Sequence, residues 1–209
     1  VSTVGELLLI RHGETEWTRS RRHTSFTDVP LTPAGEAQAR ALRPLLAGRR
    51  IGAVLVSPAR RAVRTASLAG LTGLREEHDL REWDYGGYEG VTTAEIHRTR
   101  PDWNLWTDGV PDSADGRHGE SPDLVAARAD RVLARVETWL AAPDAADVVL
   151  VAHAHVLRVL TARYLGLPAA AGGLFVLGTG SLSRLGREHG RAALMAWNTT
   201  NAAVLEAAG

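Results

Sequence analysis

The sequence predicts an α/β fold: a three-layer sandwich with a mostly parallel central sheet and helices on both faces. Three observations carry this expectation. Short apolar runs at Leu7–Ile10, Ile51–Val56 and Val148–Ala152 suit strands buried on both faces of a parallel sheet. Segments with helical signals alternate with those runs. Each run also stops at a polar cluster, and in open α/β sheets the ligand crevice lies outside the carboxyl ends of the strands.

Taken in order, the first run ends at Arg11 and His12, and Gly13 lets the backbone turn away without a Cβ clash. An imidazole can attack phosphorus and a guanidinium can fork onto its oxygens. The pair alone fits equally well two polar residues that merely face water. Residues 18–30 are polar and rich in Arg, Thr and Ser, and read as a loop over the strand end. Thr32 caps a helix with Pro33 at its first position and Glu36 close behind. That helix is expected to run to about Leu46 and to stop at Gly48. After Ile51–Val56, the cluster Ser57-Pro58-Ala59-Arg60-Arg61 starts a second helix in the same crevice.

Residues 70–79 read as a connection, and a short helix is expected over Thr93 to Arg98. Residues 101–122, dense in Pro, Gly, Asp and Trp, read as a lid or insertion within one domain spanning 1–209. Ser121-Pro122 opens a helix to about Leu140. Val148–Ala152 then delivers His153-Ala154-His155, and a helix follows from about Val156 to Leu165. Shorter strands are expected near Leu182 and Leu194. Three strand ends thereby converge on one rim, carrying Arg11-His12, Arg60-Arg61 and His153.

Composition narrows the function classes. The formal net charge of the 209 residues is +0, so no global field recruits nucleic acid or an anionic membrane. Attraction for an anionic substrate must be local. The absence of Cys removes disulfides, thiolate metal sites and cysteine nucleophiles together. All 24 basic Lys/Arg positions are arginine, so phosphate recognition rests on planar guanidinium groups. No apolar stretch approaches the ~20 residues of a membrane span. The amino terminus does not read as a secretory signal, and a cytoplasmic location is expected.

Two histidines, several arginines and an acid at one rim describe a phosphoryl-transfer site that needs no metal. Arg11-His12-Gly13-Glu14-Thr15 with Trp17 resembles the signature of the histidine phosphatase superfamily, in its phosphoglycerate mutase-like branch. Thr27 to Thr32, Gly35-Glu36, Ser57-Pro58, Arg61-Ala62, Leu80-Arg81-Glu82 with Gly90, and Val151-Ala152-His153 follow its later blocks in order. The resemblance implies that His12 is the phosphorylated nucleophile, that Arg11, Arg61 and His153 complete the phosphate pocket, and that Glu82 donates and accepts the proton. Thr18 stands where the family usually has Asn, and Ala154 where it usually has Gly. Further pieces, among them Trp83, Tyr85 and His153 with His155 and Arg158, resemble the sedoheptulose-1,7-bisphosphatase type. The implied substrate side comprises Thr18, His23, Thr24, Trp83, Tyr85, Ala154 and Arg158, the last for a distal phosphate.

Plainer roles compete at several positions. Arg60 and Arg64 suit a solvated helix face, Trp83, Trp103 and Trp106 suit packing, and His155 suits a structural histidine. A metal phosphoesterase using His153 and His155 is a weaker reading, since a two-residue spacing without an Asp-rich motif is a poor metal signal. The expectation is a metal-independent, cofactor-free phosphomonoester hydrolase acting through a phosphohistidine on sugar phosphates or bisphosphates. Broad acid phosphatase activity is the alternative, with phosphoglycerate mutase and a non-catalytic sugar-phosphate-binding protein behind it. Its partner is a small phosphorylated molecule, with no nucleic acid and no membrane; homo-oligomerisation is left open.

Overall fold

The four apolar residues of β1 (Leu7–Arg11) have no solvent exposure, because strands flank both edges and helices cover both faces. The structure, a computed structural model, describes residues 5–201; residues 1–4 and 202–209 of the expected domain lie outside the described part. After β1 come α1 (Glu16–Arg19), α2 (Pro33–Ala41), α3 (Arg43–Leu46), β2 (Ile51–Val56), α4 (Arg60–Leu68) and β3 (Leu74–Glu76). Then follow α5 (Thr93–His97), α6 (Leu105–Asp108), α7 (Pro122–Leu140), β4 (Asp147–Ala152), α8 (Ala154–Tyr164), β5 (Leu182–Glu188) and β6 (Arg191–Thr199).

The six strands form one sheet in the order β3-β2-β4-β1-β5-β6. Pairings β3–β2, β2–β4 and β4–β1 are parallel, and β1–β5 and β5–β6 are antiparallel. Alternate strand residues feed opposite faces, as the period of two requires. Leu7, Leu9, Leu55, Val148 and Leu150 pack with α7 and α8 through Val125, Ala129, Val132, Val156 and Leu160. Leu8, Ile10, Val54, Val56, Val149 and Val151 pack with Leu42, Leu46, Ala62 and Ala66 on the other side. That is the three-layer sandwich the sequence predicts.

Local differences have physical causes. The helix expected over 33–46 breaks at Leu42, because Pro44 has no N–H to donate and its ring would meet the Arg40 carbonyl. The connection at 70–79 contains β3, a three-residue edge strand beside β2 that is too short to show a period. Helix α8 starts at Ala154, two residues earlier than expected. Segment 101–122 holds α6 and buries Trp103 and Leu105 against the core, with Trp103 Nε1 donating to the Gly109 carbonyl at 2.8 Å. Caps at Thr32 and Ser121 form as expected, accepting from the Gly35 and Leu124 amides. The β5–β6 turn uses His189 at φ 49° and Gly190 at φ 79°, the left-handed pair that a two-residue hairpin favours.

The loop after β1 lies against the start of α2 at a distance only glycine allows. A Cβ on Gly13 would stand 2.2 Å from the Gly35 carbonyl oxygen, and one on Gly35 would stand 2.1 Å from that of Glu14. Thr32 Oγ1 then donates to Glu14 Oε1 at 2.8 Å. Gly35→Ala is expected to cost at least about 1–3 kcal/mol, since backbone rather than a side-chain tip must move. Urea denaturation checks this; an unshifted midpoint contradicts the contact.

Candidate active site

Parallel pairing of β1 with β4 sets Arg11 opposite Ala152, so His12 and His153 leave the sheet side by side. The His12 amide continues the ladder by donating to the Ala152 carbonyl at 3.0 Å, and the two rings meet edge-on with centroids 5.1 Å apart. His12 Nδ1 lies 2.7 Å from the Gly13 carbonyl, which can only accept, so that nitrogen carries the proton and Nε2 carries the lone pair. Ser57, just beyond β2, has its Oγ 2.8 Å from His153 Nε2, while His153 Nδ1 is buried without a protein partner. Both histidines have pKa values held well below 6.5, first by burial and next by the charge of Arg61.

The arginines are positioned from behind. Arg61, on the first turn of α4, is almost wholly buried and donates through Nη1 to Thr27 O and through Nη2 to Thr24 O and Ser25 O, at 3.1–3.3 Å. Glu89 holds the same loop from its other side, accepting the Ser25 and Thr27 amides at 2.9–3.1 Å. Arg11 donates through Nη1 to the Leu177 carbonyl. The Nε atoms of Arg11 and Arg61 are buried with no protein partner.

Glu82 approaches from the loop before a short 3₁₀ turn (Gly86–Tyr88) and closes the N-terminus of α8. Its Oε1 accepts the Trp83 and Val156 amides at 2.9 Å, and Oε2 accepts the His155 amide at 3.0 Å. Since His153, at the N-cap, makes no side-chain cap bond, a carboxylate from another segment serves the exposed amides. Arg128 on α7 clamps that segment: Nη1 donates to the Asp79 and Arg81 carbonyls at 2.8 and 2.6 Å, while Nε and Nη2 fork onto Glu120 at 2.8 and 2.9 Å. Tyr85 Oη lies 2.6 Å from His155 Nδ1, with the phenol pKa raised by burial and the His155 pKa lowered by burial. At that distance the neutral phenol donates and the neutral imidazole accepts.

Several of these groups border a cavity of about 300 Å³. Of the expected residues, Arg11, His12, Thr18, His23, Thr24, Glu82, Tyr85 and Ala154 line it. Arg61 and His153 are buried residues outside that lining, although His153 stacks edge-on against His12. One expectation is corrected. Trp83 is fully buried, with Nε1 donating to the Glu120 carbonyl at 2.8 Å, so it belongs to the core rather than the cavity wall. Arg158, expected to face a distal phosphate, lies outside that lining; it donates to the Gly172 and Gly173 carbonyls at 3.0 Å and stacks over Trp106. Thr18 reaches the cavity while closing a capping box with Thr15. His155, expected to be structural, lines the cavity as well as holding Tyr85. Arg21, Arg22 and Thr93 also line it without having been singled out; the basic run 19–22 was the available signal. Among the described residues, no group of three or more His, Cys, Asp or Glu could hold a metal ion. Nor is any described helix long and apolar enough to cross a membrane.

A model of the histidine phosphatase superfamily (branch 1) matches residues 7–200. The chain belongs to this superfamily. Over 191 residues, covering 88% of this chain and 87% of the other, it is 42% identical to an acid phosphatase of Mycobacterium tuberculosis. It is 34% identical over 190 residues to the sedoheptulose 1,7-bisphosphatase of Saccharomyces cerevisiae, covering 77% of this chain and 67% of that protein. A solved open-reading-frame product of Mycobacterium tuberculosis superposes with a TM-score of 0.84 at 40% identity, covering 95% of this chain and all of that one. As a histidine phosphatase superfamily member with phosphatase relatives, the chain is a phosphatase with a phosphoglycerate mutase-like fold.

The buried histidines couple stability to pH. His23, whose Nδ1 is buried without a partner, has its pKa lowered to about 4 by burial, and His12, His153 and His155 are also held neutral. The unfolded chain protonates its histidines near pH 6.5, so below that value it binds more protons than the folded state. Their contribution is complete above pH 6.5 and is lost as the pH falls toward 4. Tm is therefore expected to drop between about pH 6.5 and pH 5, before carboxylates titrate. A flat Tm over that window contradicts neutral burial.

Proposed function

We propose that this phosphatase transfers the phosphoryl group of small sugar phosphates or bisphosphates first to His12 and then to water, without a metal. The observation that carries the reading is the tautomer of His12: with Nδ1–H donating to Gly13 O at 2.7 Å, Nε2 presents a neutral lone pair. In the first step Nε2 bonds to phosphorus, the phosphorus–oxygen bond to the sugar breaks, and Glu82 gives a proton to the departing oxygen. In the second, Glu82 takes a proton from water as the water oxygen bonds to phosphorus and the phosphorus–Nε2 bond breaks. Oε1 of Glu82 already serves two amides and Oε2 only one, so Oε2 has the spare lone pair for the travelling proton. Arg11 and Arg61, with their unpaired Nε atoms, and His153 Nδ1 supply donors for the equatorial oxygens.

Sugar bisphosphates are favoured by the likeness to the yeast sedoheptulose 1,7-bisphosphatase. Broad acid phosphatase activity is the second reading. It is supported by the likeness to the mycobacterial acid phosphatase and by the burial that lowers the His12 pKa.

Glu82→Gln is expected to slow sugar phosphates by about 10²–10⁴-fold. Nitrophenyl phosphate, whose leaving group needs no proton, should lose much less in single-turnover phosphorylation. Equal losses on both remove Glu82 from the proton path. Treating the enzyme with EDTA should leave its rate on these substrates unchanged; loss restored by a divalent cation contradicts the metal-independent mechanism. Among phosphorylated metabolites, preference for sugar bisphosphates supports the first substrate reading, and uniform rates with an acid optimum support the second.

A further inference from the structure

Helix α1 ends at Arg19 with Ser20 as its C-cap. The Arg21 amide donates to Thr18 O at 3.2 Å, and the Arg22 amide donates to Trp17 O at 2.8 Å. This pair of bonds is a Schellman ending, which wants a left-handed residue just after the cap, and glycine takes that conformation without strain. Here the position holds Arg21, at φ 59°. A left-handed non-glycine residue is uncommon and disfavoured. Packing offers no compensation, since Arg21 is exposed and its guanidinium makes no hydrogen bond or ion pair to any described residue. Strain of this kind gathers at functional sites.

Both Arg21 and Arg22 border the cavity that contains His12. The charged residues of that lining are Arg11, Arg21 and Arg22 against Glu82 alone, in a chain of net charge +0. Arg22 is also exposed, and it acts through space on the Glu95 carboxylate, which accepts from the Thr92 amide and hydroxyl. Arg11 and Glu82 belong to the inner part of the cavity, whereas Arg21 and Arg22 are solvent-exposed at its mouth. Positive charge is thus concentrated at this cavity beyond what the scissile phosphate requires, and it draws anions toward the mouth.

We infer that Arg21 and Arg22 form a distal anion subsite that holds a second phosphate or a carboxylate of the substrate while its scissile phosphate reaches His12. The inference rests on the phosphohydrolase reading above and places the distal cations at the cavity mouth. It makes the strained residue a specificity determinant: a guanidinium stands where the backbone would prefer glycine because the substrate has a second negative charge.

Arg21→Gly and Arg22→Gln test this with fructose 1,6-bisphosphate, 3-phosphoglycerate and nitrophenyl phosphate. Arg21→Gly relieves the left-handed backbone, so Tm should hold or rise and instability cannot explain a loss. Each variant is expected to lose about tenfold in kcat/KM for a doubly anionic substrate relative to nitrophenyl phosphate, mainly through KM, as for the loss of one charge-assisted bond. A loss confined to the bisphosphate identifies a distal phosphate, and one confined to phosphoglycerate a distal carboxylate; either upholds the subsite. Unchanged ratios for both substrates in both variants overturn it. Calorimetric binding of the bisphosphate to His12→Asn, with and without Arg21→Gly, reads the subsite without turnover. If the wild-type protein hydrolyses none of the three, the phosphohydrolase reading fails, yet about tenfold weaker binding in the double variant still upholds the subsite and equal affinities remove it.

Discussion

The site depends first on the register of β1 against β4. Leu7 pairs with Val148 and Arg11 with Ala152, so the next residue of each strand is a histidine, and the two face one another above the sheet. A slip of β1 by one residue would turn its side chains to the opposite faces and carry His12 away from His153. The register is held by burial, because Leu7 and Leu9 fill one core while Leu8 and Ile10 fill the other. The packing that defines the fold therefore also sets the His12–His153 distance.

Around that pair, charged groups are held by backbone contacts more than by one another. Three amides orient Glu82, and three loop carbonyls meet the Arg61 guanidinium. Glu89 takes the amides of the loop whose carbonyls Arg61 takes, so one short segment is gripped from both sides. Arg128 does the same for the segment before Glu82, and its pairing with Glu120 joins α7 to the site. Such preorganisation places donors before charge develops, which is where most electrostatic catalysis originates.

Much of this was legible in the sequence, and the exceptions have physical causes. Leu7–Ile10 and Val148–Ala152 are apolar throughout because both strand faces are buried, so strand ends and the histidine pair could be located together. The cap at Thr32 and the start at Pro33 are local chemistry and were equally visible. By contrast, β3 has only three residues on a half-exposed edge and leaves no pattern. Arg158 sits at a suggestive spacing from His153, but its partners are carbonyls at 172 and 173, which local spacing cannot reveal. Trp83 adjoins Glu82 in sequence yet faces inward, and Arg128 looks like one more charged residue on α7 until Glu120 and the 79–81 carbonyls are brought to it. Arg21 belongs to a basic run that the sequence displays, but its positive φ is visible only in the folded chain.

The central claim is that phosphate passes through His12 Nε2, and trapping the phosphoenzyme tests it most directly. Rapid quenching of the enzyme during turnover of a phosphorus-labelled substrate, followed by peptide mapping, should find the label on His12. The bond should be labile in acid and stable in alkali, and the label should be absent from His12→Asn. A label on any other residue, or one that persists in His12→Asn, contradicts the account.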